Sequence, residues 1–285
     1  VLDGETNKTY TYYSKIIFLN ASTLKSAWIM MNSATDIWPD GLGSSSGELG
    51  HNIMDHKLGV GAGATVEGYE DKYYYGRRAN GIYIPRFRNI FGDKRDYLRG
   101  FGYQGGGNRD GYKRSAEEIA IGVDLKEALS EPGEWKLHIG GFGETLPYHE
   151  NKVTLDKTRK DKWGLNILAM DIEYKENEVK MRKDMQDDAV EMLTVAGFKN
   201  VKGHMGDGTL GRGIHEMGSA RMGKDPKKSV INANYRAHDV DNLFIVDNSV
   251  FVTGGRNHPT LTTSAFAFRA ADIIAKAAKQ GNVKI

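Results

Sequence analysis

The stretch Asn242–Thr262 reads NLFIVDNSVFVTGGRNHPTLT and predicts a strand that leads through a loop into a helix. Its first five residues, Asn242–Val246, form a short apolar run typical of a buried strand. Asp247 and Asn248 follow directly, at the carboxyl end of that strand, where α/β sheets usually bind cofactors. Helical spacing then runs from Thr262 to Lys279 and stops before a glycine. This stretch therefore predicts an α/β fold.

A second strand-to-helix unit lies near the start of the chain. Thr9–Leu19 (TYTYYSKIIFL) is rich in β-branched and aromatic residues, and Ala21–Met31 places apolar residues at helical spacing. Such a unit is half of a βαβ motif, typical of nucleotide-binding sheets. The chain opens at Val1 inside what reads as a hairpin, so we expect it to be an N-terminally truncated fragment.

The middle of the chain, from about Gly59 to Gly203, predicts an antiparallel sheet with helices on one face. A long amphipathic helix is expected at Glu176–Ala196, with Val179 and Met181 among its inner residues and a glycine after its end. Four short runs predict strands: Gly81–Phe87, Trp135–Gly141, Lys152–Leu155 and Leu165–Tyr174.

Composition narrows the class of protein. The chain has 285 residues, 39% hydrophobic and 27% charged, which is the profile of a soluble globular protein. It contains no cysteine, which excludes disulfides, thiolate metal sites and a cysteine nucleophile. A formal charge of +2 argues against a nucleic-acid binder. No apolar run approaches the roughly 18 residues of a membrane span.

Three glycine-rich stretches match the dinucleotide-binding pattern G-x-G-x-x-G/A at face value. A phosphate loop needs a strand before the glycines and a helix after them, and none of the three has that context. We therefore expect all three to be turns. They are Gly59–Ala64, Gly100–Gly105 and Gly206–Gly211.

Two further patterns in the sequence bear on ligand binding. Lys72–Tyr103 interleaves basic and aromatic residues, which would suit single-stranded nucleic acid but better fits a solvated or substrate-facing sheet. His204, Asp207 and His215 lie close in sequence, but no helix places them on one face, so no metal site is predicted.

Several ordered motifs together resemble the glucose–methanol–choline (GMC) family of flavin-dependent oxidoreductases. The C-terminal ones are His215–Gly223, Asn242–Phe251 and Asn257–Thr262, and earlier ones are Phe18–Ser33, Gly41–His56 and Asn151–Gly164. The resemblance implies an FAD-binding, Rossmann-like domain, incomplete here, and a substrate domain with a mainly antiparallel sheet backed by helices. Residues 1–58 and 206–285 would belong to the FAD-binding domain, and residues 59–205 to the substrate-binding domain.

The resemblance also implies the catalytic residues. His215 falls at the family's catalytic histidine, and His258 at a second position where members carry Asn or His. An imidazole, with a pKa near 6.5, can remove a hydroxyl proton at neutral pH while hydride leaves carbon. Taken singly, each histidine reads better as a loop residue; within these motifs we predict that His215 abstracts the proton and His258 orients the substrate oxygen.

The same resemblance implies which residues contact FAD. Ala21, Asp247 and Asn248 fall in cofactor-binding motifs, and Pro259 and Thr260 begin the last helix. A helix N-terminus offers free amides and positive potential, which would stabilise an anionic reduced flavin. Pro259 has no amide hydrogen, so Thr260 is the expected donor.

The sequence thus predicts an FAD-dependent oxidoreductase that oxidises a CH–OH group of a sugar, sugar acid or polyol. A dehydrogenase is favoured over an oxidase, and a cytochrome or a small subunit is a candidate electron acceptor. Neither nucleic acid nor a membrane span is expected, and the sequence does not distinguish cytoplasm from periplasm. The alternative left open is a non-catalytic carbohydrate-binding or interaction module on the same scaffold.

Overall fold

The structure is a computed structural model that describes residues 1–56, 59–72, 81–109, 121–130 and 133–281. The chain divides into two compact units. The first unit contains Val1–His56, Thr145–Glu173 and Leu210–Ile285, and the second contains Lys57–Glu144 and Tyr174–Thr209.

Four helices and nine strands are described, together with a short 3₁₀ helix at Asn248–Val250. In chain order they are β1 (Ile17–Leu19), α1 (Thr23–Asn32), β2 (Val60–Val66), β3 (Gly81–Ile84), β4 (Phe101–Arg109), α2 (Val123–Ser130), β5 (Trp135–Gly143), β6 (Lys152–Lys160), β7 (Asn166–Asp171), α3 (Glu176–Val195), β8 (Lys199–Met205), β9 (Leu243–Ile245) and α4 (Thr260–Lys279).

The first unit is built around a parallel pair of strands, β1 and β9. The buried strand predicted over Asn242–Val246 is confirmed as β9, whose three residues are all buried. The predicted strand over Thr9–Leu19 is too long, because only Ile17–Leu19 pairs with β9. Upstream of it, Thr9 makes a single bridge to Leu2.

The hairpin of β6 and β7 also belongs to the first unit. The sequence grouped it with the middle segment, but Val153 is 1% exposed and packs in the same core as Met31 and Ile245. The Val153 amide donates to the Gly50 carbonyl at 2.8 Å, which ties β6 to the loop before the first glycine motif.

The second unit is an antiparallel five-stranded sheet in the order β3-β4-β5-β2-β8, with α3 packed on one face. This confirms the predicted mixed fold with an antiparallel sheet backed by a helix. Met181, Met185 and Ala189 recur at four-residue spacing and are fully buried against the sheet. Val179, expected on the inner side, is 58% exposed, since it lies off that stripe.

Two of the three glycine motifs are strands rather than the expected turns. Gly59–Ala64 runs into β2, and Gly100–Gly105 runs into β4. Glycine suits these strands because the neighbouring backbone comes close: a Cβ on Gly61 would lie 2.1 Å from the Ile139 carbonyl oxygen. The third motif, Gly206–Gly211, lies in irregular backbone after β8.

Candidate active site: a row of three histidines

An isolated β-bridge between two distant parts of the chain positions the residues of the candidate site. Met54 and Met217 form an antiparallel bridge in which each amide donates to the other's carbonyl at 2.9 Å. In antiparallel register, the residue two after Met54 faces the residue two before Met217. His56 and His215 therefore meet, although they lie 159 positions apart in the chain.

Three imidazole rings lie in a row within the first unit. The Nδ1 atoms of His56 and His215 are 2.9 Å apart, and the His56 Nε2 lies 2.9 Å from the Gly255 carbonyl oxygen. The His215 and His258 rings meet edge to face, with centroids 4.5 Å apart. The two histidines predicted from sequence are thus brought together, and a third one joins them.

His56 is the residue that sequence reasoning missed. It ends the triplet Met54-Asp55-His56, which was recognised only as part of a loop motif. The available signal was that Met54-Asp55-His56 and His215-Glu216-Met217 both place a histidine two residues from a methionine. Only the bridge between the two methionines turns that similarity into a contact.

Exposure rises along the row from His56 to His258. His56 is 1% exposed, and burial is the main reason that its pKa falls from 6.5 to about 4. His215 is half-buried, and its pKa is lowered first by burial and then by the charge of His258. His258 is exposed. At neutral pH, His56 and His215 are therefore uncharged and able to accept protons.

A buried carboxylate organises the backbone around the row. Asp55 accepts hydrogen bonds from the amides of His56 at 2.7 Å, Gly213 at 2.6 Å and His215 at 3.2 Å. Burial raises the pKa of Asp55, while the three amide hydrogen bonds act in the opposite direction. Both histidine-bearing segments are thus held by one side chain.

Two predicted cofactor residues, Ala21 and Asp247, are joined through Ser26. The Ala21 amide donates to the Ser26 Oγ at 3.1 Å, and that hydroxyl donates to Asp247 Oδ2 at 2.5 Å. The other oxygen of Asp247 accepts from the Ser249 amide at 2.9 Å. Both carboxylate oxygens therefore hold the loop between β9 and α4 in place.

The start of α4 is suited to an anionic group. Pro259 is the N-cap, Thr260 is the first helical residue, and the helix begins with neither a side-chain cap hydrogen bond nor an acidic residue in its first turn. Asn248 accepts a hydrogen bond from the Thr263 hydroxyl within that turn. The first-turn amides and the helix dipole would favour a negative charge placed here, such as that of a reduced flavin.

One face of the sheet in the second unit carries polar side chains on both sides of a pair of glycines. Strand pairing aligns Tyr83, Gln104, Gly140, Gly61 and His204 in one row across it. This face is opposite to α3, because Gln104 alternates with buried core residues of β4. Two adjacent glycines leave a stretch without side chains between the Gln104 amide and the His204 imidazole.

Within the described ranges, no three potential His, Asp or Glu ligands gather closely enough to hold a metal ion. No helix in the same ranges combines the length and apolar character needed to cross a bilayer.

Comparison with known proteins shows which family this chain resembles. Residues 147–267 match the family model for GMC oxidoreductase. The chain is 31% identical to 2-methyl-1,2-propanediol dehydrogenase of Mycolicibacterium austroafricanum, over 96% of this chain and 50% of that protein. It is 28% identical to the fructose dehydrogenase large subunit of Gluconobacter japonicus, over 96% of this chain and 49% of that subunit. The chain is thus similar to members of the GMC oxidoreductase family over nearly all of its length.

A solved structure supports the fold. Pyridoxine 4-oxidase from Mesorbium loti matches with a TM-score of 0.52 at 17% identity, covering 90% of this chain and 50% of that one. The chain thus spans about half the length of the relatives it matches. GMC oxidoreductases are FAD-dependent and act on CH–OH donors, and both dehydrogenases and oxidases occur among these matches.

Proposed function

We propose that this chain is part of an FAD-dependent oxidoreductase that oxidises a CH–OH group of a polyol, sugar or sugar acid. The observation that carries the proposal is the edge-to-face pair of His215 and His258, whose ring centroids are 4.5 Å apart, directly before the uncapped start of α4. The resemblance to the GMC family and the diol and sugar dehydrogenases among the relatives support the substrate class.

His215 is the proposed base. Burial and the neighbouring His258 lower its pKa, so the ring is uncharged at neutral pH and can take the hydroxyl proton of the substrate. His258 is more exposed and is the proposed hydrogen-bonding partner of the substrate oxygen. A pair of imidazoles at this separation can contact one oxygen atom from two directions.

FAD, when bound, supplies the hydride acceptor. The residues proposed to hold it are Ala21, Asp247 and Asn248, which are fixed by hydrogen bonds around the end of β9, and Pro259 and Thr260 at the start of α4. The Thr260 amide would donate toward the negative edge of the reduced flavin. Residues 1–58 and 206–285 are accordingly proposed to be parts of the FAD-binding domain.

The second unit is proposed to carry the substrate-binding surface, within the range 59–205. One face of its sheet offers an amide at Gln104 and an imidazole at the exposed His204, with Gly140 and Gly61 between them in the same row. Such a mixture of donors and acceptors suits hydroxyl groups.

Within the oxidoreductase class, a dehydrogenase is favoured. The two relatives described above are named dehydrogenases, although other relatives and several structural neighbours are named oxidases. A cytochrome or a small protein subunit is the proposed electron acceptor, rather than oxygen.

The test uses the flavin-loaded holoenzyme that contains this chain. His215→Ala and His258→Ala should each lower the rate of anaerobic flavin reduction by about 10²–10⁴-fold while flavin content stays unchanged. His258→Asn is the matched control and should keep much of the activity, because its amide can still donate to the oxygen. Near-normal reduction by His215→Ala would overturn the catalytic assignment, and a purified protein without flavin would favour a binding module.

A further inference from the structure

We propose that His56 is a positioning residue that fixes His215 in the tautomer with its proton on Nδ1. The inference rests on the proposed function, in which His215 is the base. It assigns a role to a buried side chain whose ring is hydrogen-bonded to the ring of the proposed base.

The hydrogen bonds of His56 determine the tautomers of both rings. The Gly255 carbonyl oxygen can only accept a hydrogen bond, so the His56 Nε2 at 2.9 Å must donate to it. A neutral imidazole carries one proton, so the His56 Nδ1 has a lone pair and accepts. The His215 Nδ1, 2.9 Å away, must then be the donor.

This reasoning requires a neutral His56, and its surroundings favour that form. The ring is 1% exposed. The pKa of His56 is lowered to about 4, mainly by burial, and the charges of His215 and His258 act in the same direction. The Asp55 carboxylate bonds to the His56 backbone amide rather than to the ring.

The tautomer decides where His215 accepts a proton. With Nδ1 protonated, Nε2 carries the only lone pair in the ring plane and becomes the basic atom. When Nε2 takes the substrate proton, the resulting imidazolium keeps its Nδ1–H bond to His56. Because His56 is uncharged, it holds the tautomer without raising the pKa of His215 as a carboxylate in its place would.

Three substitutions separate the two hydrogen bonds of His56. His56→Asn places an acceptor oxygen near the former Nδ1 position and so keeps the bond to His215. His56→Gln places an amide near the former Nε2 position and keeps only the bond to Gly255. His56→Leu removes both bonds and retains an apolar side chain in the buried site.

The primary measurement is the protonation of His215 by ¹⁵N–¹H correlation NMR of the holoenzyme labelled at the histidine nitrogens, with His215→Gln used to assign its signals. We expect an Nδ1–H tautomer in the wild type, retained in His56→Asn. We expect a mixed or Nε2–H tautomer in His56→Gln and His56→Leu. Turnover should fall about 10–100-fold in those two variants, with KM changed less than about twofold, and recover in His56→Asn.

Two results would overturn the inference: an Nε2–H tautomer in the wild type, or an unchanged tautomer and turnover in a folded, flavin-loaded His56→Leu. The tautomer measured in each case does not depend on whether His215 is the base, because NMR reads it without turnover. If the proposed function itself were wrong, His215→Ala would instead reduce flavin at a normal rate. Flavin content and melting temperature confirm that each variant is folded.

Discussion

Met54 and Met217 exchange two backbone hydrogen bonds of 2.9 Å, and this one bridge sets His56 opposite His215. Both methionine side chains are fully buried, so the bridge lies in the core of the first unit. The backbone contact is reinforced next to the bridge, where the Gly218 amide donates to the Asn248 carbonyl at 3.1 Å. The loop after β9 is thereby linked to the histidine row.

The bridge should depend on glycine at position 218. Gly218 has φ +87°, and a Cβ there would lie 2.1 Å from the Asn52 carbonyl oxygen. We expect Gly218→Ala to lower the free energy of unfolding by at least ~2 kcal/mol and to reduce turnover, because the strand segments must separate. Gly47→Ala is the control: it shares a positive φ of +73° but meets no atom within 4 Å.

Urea unfolding of both variants checks this prediction. Gly47→Ala should lower the free energy of unfolding by only ~1 kcal/mol, which is the cost of placing alanine in the left-handed backbone region. Equal losses in the two variants would contradict the argument, since they would show that backbone strain alone, and not the approach to Asn52, matters at position 218.

Most of the fold that could be predicted from the sequence came from the spacing of its hydrophobic residues. Met181, Met185 and Ala189 predicted the buried stripe of α3, and the apolar run before Asp247 predicted β9. His56 could not be found in this way. Its role depends on the register between Met54 and Met217, and register across a gap of more than a hundred residues has no local signal.

The glycine-rich strands were missed for a different reason. Glycine, which is depleted in strands, occupies two of the seven residues of β2 and four of the nine residues of β4, so Gly61 and Gly105 were interpreted as turn glycines. In the sheet they are needed where a neighbouring strand comes close, which is a property of the assembled sheet and not of the local sequence.

This close approach gives a second prediction. A Cβ on Gly61 would lie 2.1 Å from the Ile139 carbonyl oxygen, whereas one on Gly63 would meet its nearest atom, the Leu137 carbonyl oxygen, at 3.6 Å. We expect Gly61→Ala to destabilise the protein by ~1–3 kcal/mol, because backbone atoms must shift. Gly63→Ala, in the same strand, should be near neutral. Thermal unfolding of the pair is the measurement, and similar melting temperatures would refute the reasoning.

Asp55 should be essential for the geometry of the row. It accepts from three backbone amides, on His56, Gly213 and His215. Asp55→Asn should cost ~2–3 kcal/mol of stability and lower turnover, because one of its two side-chain atoms becomes an NH₂ group facing an amide N–H. Asp3→Asn is the matched control, since the Asp3 side chain accepts from two backbone amides at an exposed turn. The urea concentration at the midpoint of unfolding should fall for Asp55→Asn and stay unchanged for Asp3→Asn.

The start of α4 should set the potential of the flavin if FAD binds there. Thr260→Asp adds a negative charge to the first turn, while Thr260→Asn has nearly the same shape without the charge. A first-turn Asp is favourable for the helix itself, so the fold should be retained. We expect the midpoint potential of bound FAD to fall by roughly 10–20 mV in Thr260→Asp only, because the anionic reduced form is disfavoured. Equal potentials in dye-equilibration titrations would place the flavin elsewhere.

His56 should also make the protein sensitive to acid. Its pKa is about 4 in the folded protein and near 6.5 in an unfolded chain, so between these values the unfolded state binds more protons. The stabilisation is complete above pH 6.5 and is lost progressively as the pH falls to about 4. The wild type should therefore lose ~2–3 kcal/mol from this group between pH 7 and pH 4.5, and His56→Leu should not. His204→Leu, at an exposed histidine, is the control and should follow the wild type. Urea unfolding at a series of pH values measures the difference, and parallel curves for wild type and His56→Leu would show that the ring is not held neutral.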